Sequence, residues 1–296
     1  MSAPRAAKAV NALYPAQKKD IADSFEQDGY YFPLEVFSRD QAARYRQELG
    51  ALEEKAEAYK AQGLALGNKT QLNFPHLVSR FAHEIVTHPR LLDAVEAILG
   101  PDILLWGSTF FVKAPHTESY VSWHQDLRYW GLSGEEEVSA WVALGPVNQA
   151  NGCMRFVPGS HRGEMLPHKD TFDEANFLTR GQEAQTEIAE EDTVPVELAP
   201  GQASFHHGKI LHASGPNRSD EKRIGFAINY ISPAMRQVVA PHDFAMLVRG
   251  EDRYGHFELT PPPDADLSDQ CLAWHRRVLS SQNDALYDGA EQAKMI

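Results

Sequence analysis

Cysteine is nearly absent: Cys153 and Cys271 are the only two thiols in 296 residues. That excludes a disulfide framework and a thiolate metal cluster, and it suits a reducing compartment. Long apolar runs are missing too. No segment reaches the length needed to span a bilayer, and the opening MSAPRAAKAVNALYPAQKK holds no apolar stretch of signal-sequence length. A cytoplasmic location and no membrane partner are therefore expected. Positive charge is also scarce, with 28 Lys and Arg against 41 Asp and Glu, a net charge of −13 and a pI near 5.4. Phosphate binding needs clustered basic residues, so no nucleic-acid partner is expected.

What the chain does contain is ordered, with helical signals first and strand signals second. Ile21, Ala22 and Phe25 recur at helical spacing in a segment predicted to run from about 17 to Gly29. A brief aromatic strand over Tyr30 to Phe32 follows. Ser38 with Gln41 fits a capping box for a long helix to Gln62, stopped by Gly63. Pro89 suits a first helical turn, and Leu91, Leu92, Val95, Ile98 and Leu99 form a stripe that ends at Gly100. Beyond it, short aromatic or branched runs alternate with Gly, Pro and Asn. This grouping predicts one domain over 1–296, mainly β with α additions, as an antiparallel barrel or sandwich buttressed by helices. Its parts are a helical region at about 17–100, a β core at about 101–235 and a C-terminal extension at about 236–296. The polar stretch at about 163–193 reads as a loop or active-site lid.

Within VSWHQDLRYW, strand alternation would project His124 and Asp126 from one face, where they could grip one metal ion. With 13 His and 18 Asp in the chain, a His-x-Asp triplet arises about once by chance. A second one, His168 and Asp170, sits after Pro167 in the polar stretch, where no strand is expected to align it, and is taken as a decoy. For His124 and Asp126 alone, a solvated ion pair is the ordinary alternative. Downstream residues shift the balance. His212 is the candidate third ligand, and two histidines with one carboxylate leave open positions, as in iron(II) enzymes that bind a co-substrate and oxygen. Gly215-Pro216-Asn217 signals a turn between adjacent strands, which would bring Arg223 near His212. Alternation then places Arg223, Gly225, Ala227 and Asn229 on one uncrowded face, where a guanidinium can hold a carboxylate through two parallel bonds.

The segments WHQD, SAWVAL with NGCMRFVPGSH, and HASGPNRSDEKR resemble the phytanoyl-CoA dioxygenase superfamily of Fe(II)- and 2-oxoglutarate-dependent oxygenases, over roughly residues 20 to 260. The resemblance implies a double-stranded β-helix, or jelly roll, with iron held by His124, Asp126 and His212. It also implies 2-oxoglutarate as co-substrate, with Arg223 on its distal carboxylate, Ser214 as a hydroxyl contact to the same end and Trp141 as an aromatic wall. Lys69 matches a lysine that some members place near the co-substrate, and Asn217 would shape the connecting turn. The activity so implied consumes O2, hydroxylates an unactivated C–H bond of a small molecule and releases succinate and CO2. Relatives that halogenate replace the metal carboxylate with a small residue, and here Asp126 is present. Two rivals remain at this point: a catalytically silent jelly-roll binding module, and a metalloenzyme that uses the same ligands without a keto acid. Neither the substrate nor the oligomeric state is legible.

Overall fold

The computed structural model describes residues 12–60, 66 and 71–286. Lys69, and the predicted helix stop at Gln62 and Gly63, lie outside the described residues. Helix α1 (Pro15–Asp28) ends as expected on Gly29, whose φ of 83° is a left-handed conformation that glycine adopts without strain. Helix α2 (Arg39–Lys60) starts with the anticipated box, since the Ser38 N–H donates to Gln41 Oε1 and the Gln41 N–H to Ser38 Oγ. Helix α4 (Pro89–Leu99) also lies where its stripe predicts. Three helices went unanticipated: α3 (Arg80–Val86), the single turn α5 (Leu127–Trp130) and α6 (Asp269–Leu286).

The larger sheet runs β1 (Tyr30–Glu35), β10 (Gln202–His206), β5 (Glu137–Ala143), β12 (Arg223–Ile231), β3 (Ile103–Lys113), β13 (Phe244–Arg249) and β14 (Glu258–Leu259), with β2 (Gln71–Asn73) also paired to β3. The smaller sheet runs β4 (Val121–His124), β11 (His212–Ser214), β6 (Met154–Phe156) and β9 (Val194–Val196). Together they make a jelly roll. Strand pairing therefore extends beyond the predicted 101–235 in both directions, through β1 and β2 before it and β13 and β14 after it.

Alternation sorts the side chains of β12. Ile224, Phe226, Ile228 and Tyr230 join the core under the helices, whereas Arg223, Ala227 and Asn229 line a cavity between the sheets. Phe226 stacks on its cross-strand partner Phe110 with centroids 4.0 Å apart. A second cluster closes the sandwich, with Trp141 and Ala143 of β5 packed with Met154, Phe156 and Val196 of the smaller sheet.

Two expectations about the loops are corrected. The 163–193 stretch is not structureless: β7 (His168–Asp170) and β8 (Gln182–Ala184) pair antiparallel within it, and Phe177, Leu178 and Thr179 line the cavity. His212 and Arg223 are not on adjacent strands either, because β11 belongs to the smaller sheet and β12 to the larger. They meet across the sandwich instead. Among the described residues no helix is long and apolar enough to cross a membrane.

Candidate metal centre and co-substrate site

Strand β4 stops at His124, two residues short of the Asp126 that alternation would require it to reach. Asp126 is the N-cap of α5, with helical φ −57° and ψ −48°. The turn, not a shared strand face, brings its carboxylate back over the imidazole. Asp126 Oδ1 lies 3.2 Å from His124 Nε2, and Oδ2 lies 3.8 Å from His212 Nε2. His212 arrives by backbone register, directly opposite His124 in the β11–β4 pair, with ring centroids 4.0 Å apart. One ligand atom from each of the three residues falls within 4.8 Å of the others. Cis ligands of an octahedral ion lie about 3 Å apart, so small rotations suffice to close the set.

Tautomers are fixed the same way on both rings. His124 Nδ1 donates to the Ser122 carbonyl at 2.8 Å and His212 Nδ1 to the Ile210 carbonyl at 3.1 Å, which leaves each Nε2 lone pair free to bind a cation. Burial, reinforced by neighbouring His124, pushes the His212 pKa well down and keeps the ring neutral.

The decoy triplet does lie on a strand, contrary to expectation, yet its atoms are committed elsewhere. His168 Nε2 accepts from the Gln125 N–H at 3.1 Å and its Nδ1 donates to the Leu166 carbonyl, while Asp170 pairs with Arg180 at 2.9 Å.

Facing the triad, Arg223 is 2% exposed. Its Nη1 donates to the Gly152 carbonyl at 2.7 Å, its guanidinium carbon sits 5.3 Å from the Trp141 ring centre, and its Nε has no partner. Burial pushes its pKa down to about 10, so it stays cationic at neutral pH. A buried cation with a spare donor fits an anionic ligand. The Arg223 face is more crowded than alternation suggests, because the Trp141 indole lies so close over Gly225 that a Cβ there would meet its ring at 1.6 Å.

Lys113 is fully buried directly across the β3–β12 pair from Arg223. Its Nζ donates to Ser214 Oγ at 2.7 Å, to the Ser214 carbonyl at 3.2 Å and to the Gly215 carbonyl. Burial, and then Arg223, push its pKa down to about 6. Asn217 braces the turn as expected, donating to the Glu221 carbonyl at 2.7 Å. Thus His124, Asp126, His212, Ser214, Trp141 and Arg223 share one cavity of about 240 Å³. His206 also lines it, as do Asn73, Thr109, Asn229 and the α6 residues Gln282, Ala285 and Leu286. Of these, Asn229 follows from the alternation of β12, whereas Asn73, Thr109 and the α6 residues are brought in by long-range packing.

Comparisons with known proteins agree with this geometry. The chain is 26% identical over 241 residues to a probable alpha-ketoglutarate-dependent hypophosphite dioxygenase from Stutzerimonas stutzeri, covering 74% of this chain and 78% of that protein. Against human peroxisomal phytanoyl-CoA dioxygenase it is 27% identical over 150 residues, covering 49% of this chain and less than half, 44%, of that protein's length. The solved structure of the non-heme monooxygenase ThoJ in its apo form superposes with a TM-score of 0.80 at 36% identity, covering 91% of this chain and 98% of that one. The phytanoyl-CoA dioxygenase family profile matches residues 25–225. On that match, and on the His-Asp-His cluster facing a buried arginine, the chain belongs to the phytanoyl-CoA dioxygenase family of iron(II)- and 2-oxoglutarate-dependent oxygenases.

Proposed function

We propose that this chain hydroxylates a C–H bond of a small-molecule substrate, with His124, Asp126 and His212 holding iron(II) and with Arg223, Ser214 and Trp141 holding 2-oxoglutarate. Arg223 carries the proposal. A buried guanidinium with an unpartnered Nε, on the sheet opposite the triad and in the same cavity, has the charge and donors for the far carboxylate of a keto diacid. Bound iron(II) would activate O2 with 2-oxoglutarate as the two-electron reductant, one oxygen atom leaving in succinate alongside CO2 and the other entering the substrate C–H bond.

The side chains chiefly set positions. Because Lys113 Nζ donates into Ser214 Oγ, the serine hydroxyl keeps its own proton to donate to the co-substrate carboxylate beside Arg223. The Trp141 indole walls the channel that the co-substrate occupies, and Gly225 leaves room for it. The substrate would lie against Tyr129 and Trp130 on one side and Asn73, Thr109 and Asn229 on the other, while Ala285 and Leu286 of α6 exclude water. Asp126 occupies the position that a halide would need, which favours hydroxylation over halogenation.

Purified protein supplied with iron(II), 2-oxoglutarate and oxygen should form succinate, and a substrate should raise its rate in step with hydroxylated product. No succinate across a broad substrate panel would favour the binding-module alternative.

A further inference from the structure

His206 is the last residue of β10, and neighbouring Ala203 and Phe205 pack into the core under the helices. Alternation therefore turns its ring inward, where it lines the cavity and is 3% exposed. Its backbone is fixed on both sides, opposite Tyr30 in β1 and Ser139 in β5. The ring is wedged between Phe156, with centroids 5.1 Å apart, and His212, with centroids 4.7 Å apart. Yet both of its nitrogens lack a hydrogen-bond partner. Buried imidazoles normally satisfy at least one nitrogen, so the partner belongs to the loaded site. Asp126 Oδ2 lies 3.6 Å from His206 Nε2, just beyond hydrogen-bond reach.

We propose that His206 is a positioning residue for the metal carboxylate: its Nε2–H donates to whichever Asp126 oxygen the cation leaves free. When one carboxylate oxygen moves between His124 Nε2 and His212 Nε2, the other remains in a buried pocket and needs a donor. His206 supplies it from a rigid strand, which keeps the carboxylate bound through a single oxygen and preserves the open coordination positions. His206 is not itself a ligand, since the set whose ligand atoms lie within 4.8 Å of one another comprises His124, Asp126 and His212. The inference rests on the iron assignment proposed above.

Cobalt(II) titration of the metal-free full-length protein, followed by its visible absorption, tests it without turnover. His206→Phe, which keeps the ring volume and loses the donor, should bind cobalt about 10- to 100-fold more weakly, as removal of outer hydrogen-bond partners of metal ligands generally does. His206→Gln, whose amide reaches as far as Nε2, should restore most of that loss, whereas the shorter His206→Asn should not. Melting of the metal-free variants checks that each is folded. If His206→Phe does not fold, the Gln and Asn pair decides by the same contrast. Wild-type affinity in the Phe variant, or equal losses in Gln and Asn, overturns the role of His206. No cobalt binding by the wild-type protein would instead overturn the iron assignment.

Discussion

Replacing Asp126 by alanine removes the carboxylate from between two Nε2 atoms, and iron binding and hydroxylation should both be lost. Asp170→Ala should leave iron affinity unchanged, because that carboxylate already pairs with Arg180 and both nitrogens of His168 are hydrogen-bonded. Equilibrium titration with iron(II) separates the two, and the opposite pattern would mean that the wrong triplet has been assigned. Arg223→Ala should weaken 2-oxoglutarate by roughly 100-fold, the loss of about 3 kcal/mol of charge-assisted hydrogen bonding, with iron affinity intact. Equal 2-oxoglutarate affinity in the variant would remove the role of Arg223. Lys113 makes the binding pH-dependent. Its pKa is about 6 in the free protein, and a nearby dianion favours the ammonium and raises that value. Between the two values the complex holds a proton that the free protein lacks, so 2-oxoglutarate affinity falls as pH rises through that window. Calorimetry near neutral pH in buffers of different ionisation heat should register proton uptake, and Lys113→Met should abolish it. Absence of uptake in the wild type would mean that Lys113 is already charged.

At the scale of elements, the meeting of β5 and β12 is the most exacting contact. Gly225→Ala forces a methyl into the Trp141 indole, and overpacking of about 1–3 kcal/mol should appear as a loss of about tenfold or more in 2-oxoglutarate affinity, with metal affinity preserved. On the other face of β12, Phe226→Ala removes the ring stacked on Phe110. It should lower unfolding free energy by about 3–5 kcal/mol in denaturant titration while leaving the site's ligand affinities unchanged. Local signals were enough to place α1, α2, α4 and the β12 alternation, because caps, glycine stops and two-residue periodicity act over a few residues. They failed at Asp126, where the strand yields to a helical turn within two residues. They failed again at β7, where pairing with β8 overrides a polar composition that reads as loop.

At the scale of the whole molecule, the six residues gathered in the cavity were legible because family-like spacing marks them, even though His124 and His212 are far apart in the chain. Lys113, the cavity face of α6 and the tight approach of Trp141 to Gly225 were not legible. Each depends on register or packing between segments many residues apart, which no local pattern encodes. In the proposed function, the two sheets bring two half-sites into one cavity: His124 and His212 of the smaller sheet with Asp126 on the adjoining turn, and Arg223 of the larger. Metal and keto acid should therefore bind together and optically couple. An anaerobic titration with iron(II) and then 2-oxoglutarate, followed by visible absorption, reads that coupling directly. The expected result is a charge-transfer band that appears only when both are present, is lost in Asp126→Ala and needs far more 2-oxoglutarate in Arg223→Ala. Iron bound by the wild-type protein with no such band at saturating 2-oxoglutarate would contradict the shared site.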